Sequence, residues 1–298
     1  MYELVQVGEK TYYIECPAKM GLYKINESEV CLIDSGNDKD AGKKALKAIE
    51  GQGWKLSMII NTHFHADHIG GNQLLQQRTG CKIYGSGSDL AFIKRPLLEP
   101  AFLFGAYPPK ELQNKFLMAK ECQASELTEE VLPAGLSVIP LPGHSDGQFG
   151  LRTDDDVIFL ADCLMGEDTL DKYKISHVFD VGSYLETLEM VKGLSAALFI
   201  PSHAAPCEDI VPLAEVNIKN TLDIMDDVET LCGGEGLTFD DLMAALFEKY
   251  QLAFNLSQYC LNGCTIKTML AKLHDEGRIA IACEEMRIKW HRELKSNE

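Results

Sequence analysis

The sequence predicts an α/β protein in which β-sheets are covered by helices on their outer faces. Two observations carry this. Short β-prone runs crowd the N-terminal stretch, and strands then alternate with helical patterns until about residue 200. Leu56 to Asn61 and Ala197 to Ile200 also read as apolar, buried strands.

The elements follow in order. Leu4 to Val7, Thr11 to Glu15, Gly21 to Asn26 and Glu29 to Ile33 are short strands separated by turn residues such as Gly8-Glu9 and Asn26-Glu27. Asp34-Ser35-Gly36 ends the fourth. A helix is expected over Asp38 to Gln52, with Ala41, Ala45, Leu46 and Ile49 at helical spacing. The strand Leu56 to Asn61 runs straight into a histidine cluster. A helix starts near Ile69 and stops before Gly80, and Lys82 to Tyr84 is a further strand.

Residues 86–125 break the rhythm. Pro96, Pro100 and Pro108-Pro109 interrupt helical patterns there, and Phe102, Phe104 and Tyr107 look exposed. This segment is expected to be an insertion over the pocket mouth, with those three rings facing it. Strands resume at Leu136 to Leu141, Gln148 to Arg152 and Val157 to Leu160. A helix over Ser183 to Leu194 leads to the strand Ala197 to Ile200. From about Asp209 the pattern turns helical, with a break at Gly233-Gly234-Glu235-Gly236. The expected division is residues 1–210 and 211–298.

Composition narrows the function classes. Of 298 residues, 46% are hydrophobic and 24% charged, as in ordinary globular proteins. The formal net charge is −17, which repels phosphate backbones at long range and argues against a nucleic-acid partner. No apolar run is long enough to span a membrane, so no membrane partner is expected. Ten cysteines lack C-x-x-C pairing and no export signal precedes them, which reads as reduced thiols in a cytoplasmic protein. Cys260 and Cys264 share helical spacing rather than a disulfide or metal site.

The chemistry lies in Thr62-His63-Phe64-His65-Ala66-Asp67-His68. His63 and His65 alternate off a strand end and leave it on the same side. Asp67 and His68 sit in the turn where the next helix begins. Burying so many polar groups without a metal would be costly. Imidazole with carboxylate suits zinc first, with iron or manganese as alternatives. His144 in Leu141-Pro142-Gly143-His144, Asp162 in Leu160-Ala161-Asp162-Cys163 and His203 in Pro201-Ser202-His203 each follow a strand. Strand ends of this kind gather ligands on one rim.

These residues, in this order, resemble the metallo-β-lactamase-fold superfamily, in its glyoxalase II-like branch. Leu32-Ile33-Asp34-Ser35-Gly36 also resembles its strand-turn element, and the likeness covers about residues 2 to 210. The resemblance implies a four-layered αβ/βα sandwich with two divalent metal ions at the edge between two sheets. It implies that one ion is held by His63, His65 and His144, the other by Asp67, His68 and His203, with Asp162 bridging. Many relatives have a glycine-rich version of the segment Pro201-Ser202-His203-Ala204-Ala205-Pro206, and this chain departs from it. Asp34 reads as a supporting or turn-capping residue, Cys163 as a small buried one, and His177, in a loop after the Asp162 strand, as a surface residue ahead of a substrate-facing one. His274 and His291 receive no role.

Two such metals can share a water and lower its pKa toward neutrality, giving a hydroxide that attacks a carbonyl or phosphoryl centre. Asp67 and Asp162 are the expected catalytic residues, and no Ser or Cys nucleophile is needed. The expected substrate is a small ester, thioester or lactone, although no compact Lys/Arg cluster suits an anionic glutathione conjugate. A nuclease or phosphodiesterase is the alternative, disfavoured by acidity and the lack of a basic stripe. A di-iron redox protein would need an acidic residue at His65 and a flavin module. A non-catalytic metal-binding protein would not need a full ligand set.

In the C-terminal segment, Thr238 reads as the N-cap of a helix that continues to Tyr250, with Asp241 reaching back. Thr265 to Leu273 reads as an amphipathic helix with Ile266, Leu270 and Leu273 on one face, ended by Gly277. Arg278 to Ala282 and Met286 to Trp290 can pair as a hairpin. This order resembles a winged-helix module. Lys267, Lys272 and Arg278 are outnumbered by acidic neighbours, so the expected role is packing or homo-oligomerisation, one that can shape the active-site mouth of its own or a neighbouring chain.

Overall fold

The computed structural model describes residues 2–293. The end of the C-terminal segment, residues 294–298, lies outside the described residues. The first sheet holds seven strands: β1 (Glu3–Gln6), β2 (Thr11–Glu15), β3 (Met20–Lys24), β4 (Glu29–Ile33), β5 (Lys55–Ile60), β6 (Lys82–Gly85) and β7 (Ser125–Glu126), side by side in sequence order. Pairing is antiparallel from β1 to β4 and parallel from β4 to β7. The second sheet runs in the order β11 (Leu198–His203), β10 (Val157–Met165), β9 (Phe149–Thr153), β8 (Leu136–Pro140).

Period-2 alternation sorts side chains between two cores. On β4, Cys31 and Ile33 join Met58, Ile60, Leu151 and Phe159 in the core between the sheets. Val30 and Leu32 point outward against Ala45, Leu46, Ile49 and Leu75. Those residues belong to α1 (Lys39–Gly51) and to α3 (Asn72–Thr79), which follows the one-turn α2 (Ala66–Ile69). On β10, Val157 and Phe159 face inward while Ile158 and Leu160 face the outer helices. The result is helices, sheet, sheet, helices.

The insertion carries α4 (Leu90–Lys94), α5 (Leu98–Phe104) and a 3-10 turn at Lys110–Leu112. After β10 come α6 (Glu167–Tyr173), which the sequence pattern does not announce, and α7 (Val181–Lys192). Then follow α8 (Val211–Leu231), α9 (Phe239–Lys249), α10 (Leu256–Asp275) and the hairpin β12 (Ile279–Glu284) with β13 (Arg287–Arg292). Thr238 caps α9 as its sequence indicates: its hydroxyl accepts the Asp241 N–H at 3.2 Å and donates to the Asp241 carboxylate at 2.6 Å. Helix α10 starts nine residues earlier than the pattern at Thr265, because Asn255 caps it at Gln258 N and Gly263 is tolerated against Phe239.

Leu242, Met243, Leu246, Ile266, Leu270 and Leu273 from α9 and α10 share one core with Ile158, Leu160, Leu188 and Phe199 of the second sheet and its helix. Among the described residues, no helix is long and apolar enough to cross a membrane, and all ten cysteines are free thiols.

Two strands run further than their apolar stretches suggest. Asp162 lies inside β10 and His203 is the last residue of β11, rather than in loops after them. Pairing of β10 with β11 slips on either side of Ala161, whose φ of 50° is left-handed. Such a bulge re-aims the next side chain. Here that residue is Asp162.

Candidate metal centre

The site begins where β5 ends. The Asp34 carboxylate accepts the Thr62 N–H at 2.8 Å, the Thr62 hydroxyl at 2.7 Å and His68 Nδ1–H at 2.8 Å. The Thr62 hydroxyl gives its proton to Asp34, so it can only accept from His63 Nδ1, 3.1 Å away. Both imidazoles thereby keep a proton on Nδ1 and turn Nε2 toward the centre. The His68 carbonyl accepts Ser35 N–H at 2.7 Å, and Ser35 Oγ accepts Gly71 N–H at 3.1 Å. Position 71 has no room for a side chain, since a Cβ there would lie 2.3 Å from Ser35 O. The short α2–α3 segment therefore docks directly on the Asp34-Ser35 turn.

The other ligand candidates come from the second sheet. His144 Nδ1 donates to His177 O at 2.9 Å, which leaves Nε2 facing His65 Nδ1 at 2.9 Å. Gly143, at φ 124°, lets this loop press against the first turn of α7, where a Cβ would meet Tyr184 N at 2.4 Å. Gln148 ties the loop to Asp162: its amide donates to Leu141 O at 3.1 Å and its carbonyl accepts the Asp162 N–H at 3.3 Å.

All seven residues singled out in the sequence converge. His63, His65 and His144 bring one ligand atom each to within 4.8 Å of one another, and Asp67, His68, Asp162 and His203 do the same. The Asp162 carboxylate lies between the groups, 3.1 Å from His68 Nε2 and His203 Nε2, 3.6 Å from His144 Nε2 and 3.9 Å from His63 Nε2. His203 Nε2 is also 3.2 Å from Asp67 Oδ2.

His63 Nε2, His68 Nε2 and Asp162 Oδ1 are buried without a hydrogen-bond partner. Orphaned donors of metal-ligand type, aimed at shared points, are what a metal ion satisfies. Burial holds His63, His65 and His144 below the usual histidine range. Burial would also depress His203, but Asp162 and Asp67 outweigh it and push the imidazole up to about 10. Burial would raise Asp162, but His203 and His68 hold it well below the carboxylate range. Acid–base pairs that lock each other in this way can exchange their protons for a cation.

A family model described as the metallo-beta-lactamase superfamily matches residues 14–203, a stretch that contains all seven converging side chains. The chain belongs to the metallo-beta-lactamase superfamily. The fold recurs in a beta-lactamase domain protein from Burkholderia ambifaria, with TM-score 0.74 at 17% identity over 98% of this chain and 94% of that one. A metallo-beta-lactamase family protein from Thermus thermophilus gives 0.71 at 18% identity, covering 97% of each chain. Among curated proteins, a hydroxyacylglutathione hydrolase from Methylococcus capsulatus is 29% identical over 120 residues, 40% of this chain and 38% of its own length. The chain thus spans less than two-fifths of that relative. A probable metallo-hydrolase from Methanocaldococcus jannaschii is 29% identical over 46% of this chain and 63% of its own length.

The superfamily cluster opens into a cavity of about 530 Å³. The insertion lines it, but through Glu99, Phe116 and Leu117. Phe102 instead packs between Phe92 and Phe179, with ring centroids 6.2 and 5.7 Å away, while Phe104 and Tyr107 lie by Pro108 and Pro109 in a separate depression. That corrects the expectation for these three rings: α5 turns its acidic face inward and its aromatic face away. His177 lines the cavity, as the second of its two sequence readings has it, and burial lowers its pKa to about 3. Glu99 and the α10 residues Gln258, Leu261 and Asn262 carry no sequence signal, because each is distant from the histidine motifs along the chain; Gln148, four residues after His144, reads as an ordinary strand residue.

Proposed function

We propose that this chain is a binuclear metal-dependent hydrolase of a small ester, thioester or lactone. The observation that carries the reading is the meeting of two ligand groups at one carboxylate, Asp162, on the floor of a substrate-sized cavity. Residues 1–210 would hold catalysis, and residues 211–298, with their winged-helix-like order, a packing or oligomerisation role. The free thiols suit a cytoplasmic protein.

His63, His65 and His144 would hold one ion, Asp67, His68 and His203 the other, with zinc favoured by the histidine-rich set. When bound, the ions supply Lewis-acid activation of water and of the scissile carbonyl. Asp162 holds the two ligand groups at a fixed separation. Asp67, half-exposed at the cavity edge, is placed to orient the attacking water as well as to bind metal.

Among the described residues lining the cavity there is no lysine or arginine, whereas Asp67, Asp162 and Glu99 are acidic. The carboxylates of an anionic leaving group such as glutathione find no lysine or arginine partner there. Uncharged acyl donors are therefore favoured over the hydroxyacylglutathione of the curated relatives and over a phosphodiester.

The test is a turnover panel with metal content measured in parallel. Close to two ions per chain are expected, with kcat/KM for an uncharged aryl ester or lactone at least tenfold above that for an acyl-glutathione. Phosphodiester turnover exceeding ester turnover would overturn the substrate class. Less than half an ion per chain, without gain of activity on reconstitution, would falsify the metal reading.

A further inference from the structure

We infer that α10 is a working part of the metal centre, and that Thr265 is the positioning residue through which it aims His144. Thr265 is buried in the middle of a helix, where a threonine usually returns its hydroxyl to the carbonyl four residues back. Here the hydroxyl reaches across to another segment. It donates to Ser176 O at 2.9 Å and accepts the Val178 N–H at 2.9 Å. One turn along the same face, Thr268 Oγ1 accepts the Val181 N–H at 3.2 Å. Residues 176–180 precede α7 without a sheet or helix of their own; Gly143 O accepts the Phe179 and Asp180 N–H groups at 2.9 and 3.0 Å, and the two threonines partner Ser176 O and the N–H groups of Val178 and Val181, which it does not reach.

The residue held between the two Thr265 bonds is His177, and its carbonyl accepts His144 Nδ1–H at 2.9 Å. A carbonyl fixed at that point sets both the tautomer and the ring plane of His144, leaving Nε2 directed at His65. The relay joins two hydrogen-bonded contacts through the backbone of His177: Thr265 Oγ1 grips Ser176 O and Val178 N–H on either side of it, and the His177 carbonyl accepts from His144. Gln258, Leu261 and Asn262, on the same helix, line the cavity that this imidazole faces. The C-terminal segment thus builds the site as well as packing against it.

The inference rests on the metal-centre reading above, and its test separates the two. Apo protein is titrated with Co(II), followed at the d–d bands, and with Zn(II) against a chelator of known affinity. Thr265→Val keeps the shape and removes both bonds. It should weaken binding 10- to 100-fold for the ion of the His63, His65 and His144 group, with an altered Co(II) spectrum, and leave the other ion near the parent value. Thr265→Ser restores the hydroxyl and should return both within about threefold. Equal loss at both ions, or no loss at either, overturns the relay. A parent protein that takes up no metal sinks the metal reading alone. The relay is then judged in the apo state, where the parent must show a slowly exchanging His144 Nδ1–H signal that Thr265→Val loses. Should Thr265→Val not fold, amide exchange in the parent decides. Val178 N–H must be protected as well as the core strands, and exchange at the rate of an open loop overturns the proposal.

Discussion

His63, His65, Asp67 and His68 leave one short loop after β5, whereas His144, Asp162 and His203 come from three separate places on the second sheet. The bracing differs in the same way. The first group is held by residues of its own sheet: Asp34 and Ser35 at the end of β4 grip Thr62, His68 and Gly71. The second group has one brace of its own, Gln148, and is otherwise held from outside. Asn217 on α8 accepts the Met165 N–H at 3.0 Å and donates to Met165 O at 2.9 Å, at the end of the strand that carries Asp162. Thr265 on α10 holds the loop behind His144. One half is therefore a local construction and the other depends on the helices that follow residue 210.

The largest effect should come where the halves meet. Asp162→Ala removes the one carboxylate near all the groups, and Asp67→Ala removes the group placed to orient water. Turnover should fall by 10³-fold or more in either, on the order of 4 kcal/mol in the barrier. Circular dichroism should show an intact fold. A variant within a few-fold of the parent at matched metal load would mean that catalysis does not run through the junction.

The next effects separate the two braces. Asp34→Ala leaves Thr62 and His68 without their shared acceptor, and metal affinity should fall 10- to 100-fold at the ion next to His68. Asn217→Leu acts on backbone. It leaves Met165 N–H and C=O buried and unpaired, at a cost of about 1–3 kcal/mol each, so its main signature should be a lower unfolding midpoint. If Asn217→Leu lost metal as severely as Asp34→Ala without losing stability, the distinction between a local and a remote half would fail.

The same distinction explains what the sequence made legible. The His63 to His68 run could be read because its geometry is written in adjacent letters: a strand end, then a helix start. His144, Asp162 and His203 could be picked out because each follows an apolar run, and the superfamily resemblance supplied their grouping. The aim of Asp162 could not be read, since it depends on a bulge at Ala161 that needs a neighbouring strand to define it. Nor could the roles of Thr265 and Asn217, which look like ordinary polar positions on amphipathic helices. The helix-covered sheets followed from the order of strand and helix patterns and the four layers from the superfamily resemblance, whereas the misplaced rings of the insertion turned on the rotation of α5, which seven residues of pattern do not fix.

Smaller effects belong to the insertion. Phe102→Ala and Tyr107→Ala should leave kcat/KM within about twofold, because these rings do not line the cavity. A tenfold loss in Tyr107→Ala, with unchanged stability, would put that ring on the substrate after all.

Glu99 gives the finest distinction, because it belongs to the insertion yet sits against the first ligand loop. It is buried, lines the cavity, and has Oε2 without a partner. Burial and then the nearby Asp67 charge push its pKa well above the ordinary 4.5, against the opposing pull of the Ala66 N–H and of His68. The folded metal-free chain therefore keeps a proton on Glu99 at pH values where the unfolded chain has released it. Stability from this group is complete below about pH 4.5 and is lost as pH rises toward the folded pKa. Glu99→Gln imitates the protonated carboxyl at every pH. Its unfolding midpoint, measured without metal, should match the parent near pH 4.5 and exceed it at pH 8, on the order of a few degrees. Asp67, His68 and His203 titrate in both proteins, so their contributions largely cancel in the difference. Parallel melting curves across that range would show that Glu99 is ionised in the fold. The insertion would then be contributing a negative charge to the cavity rather than a neutral hydrogen-bond donor.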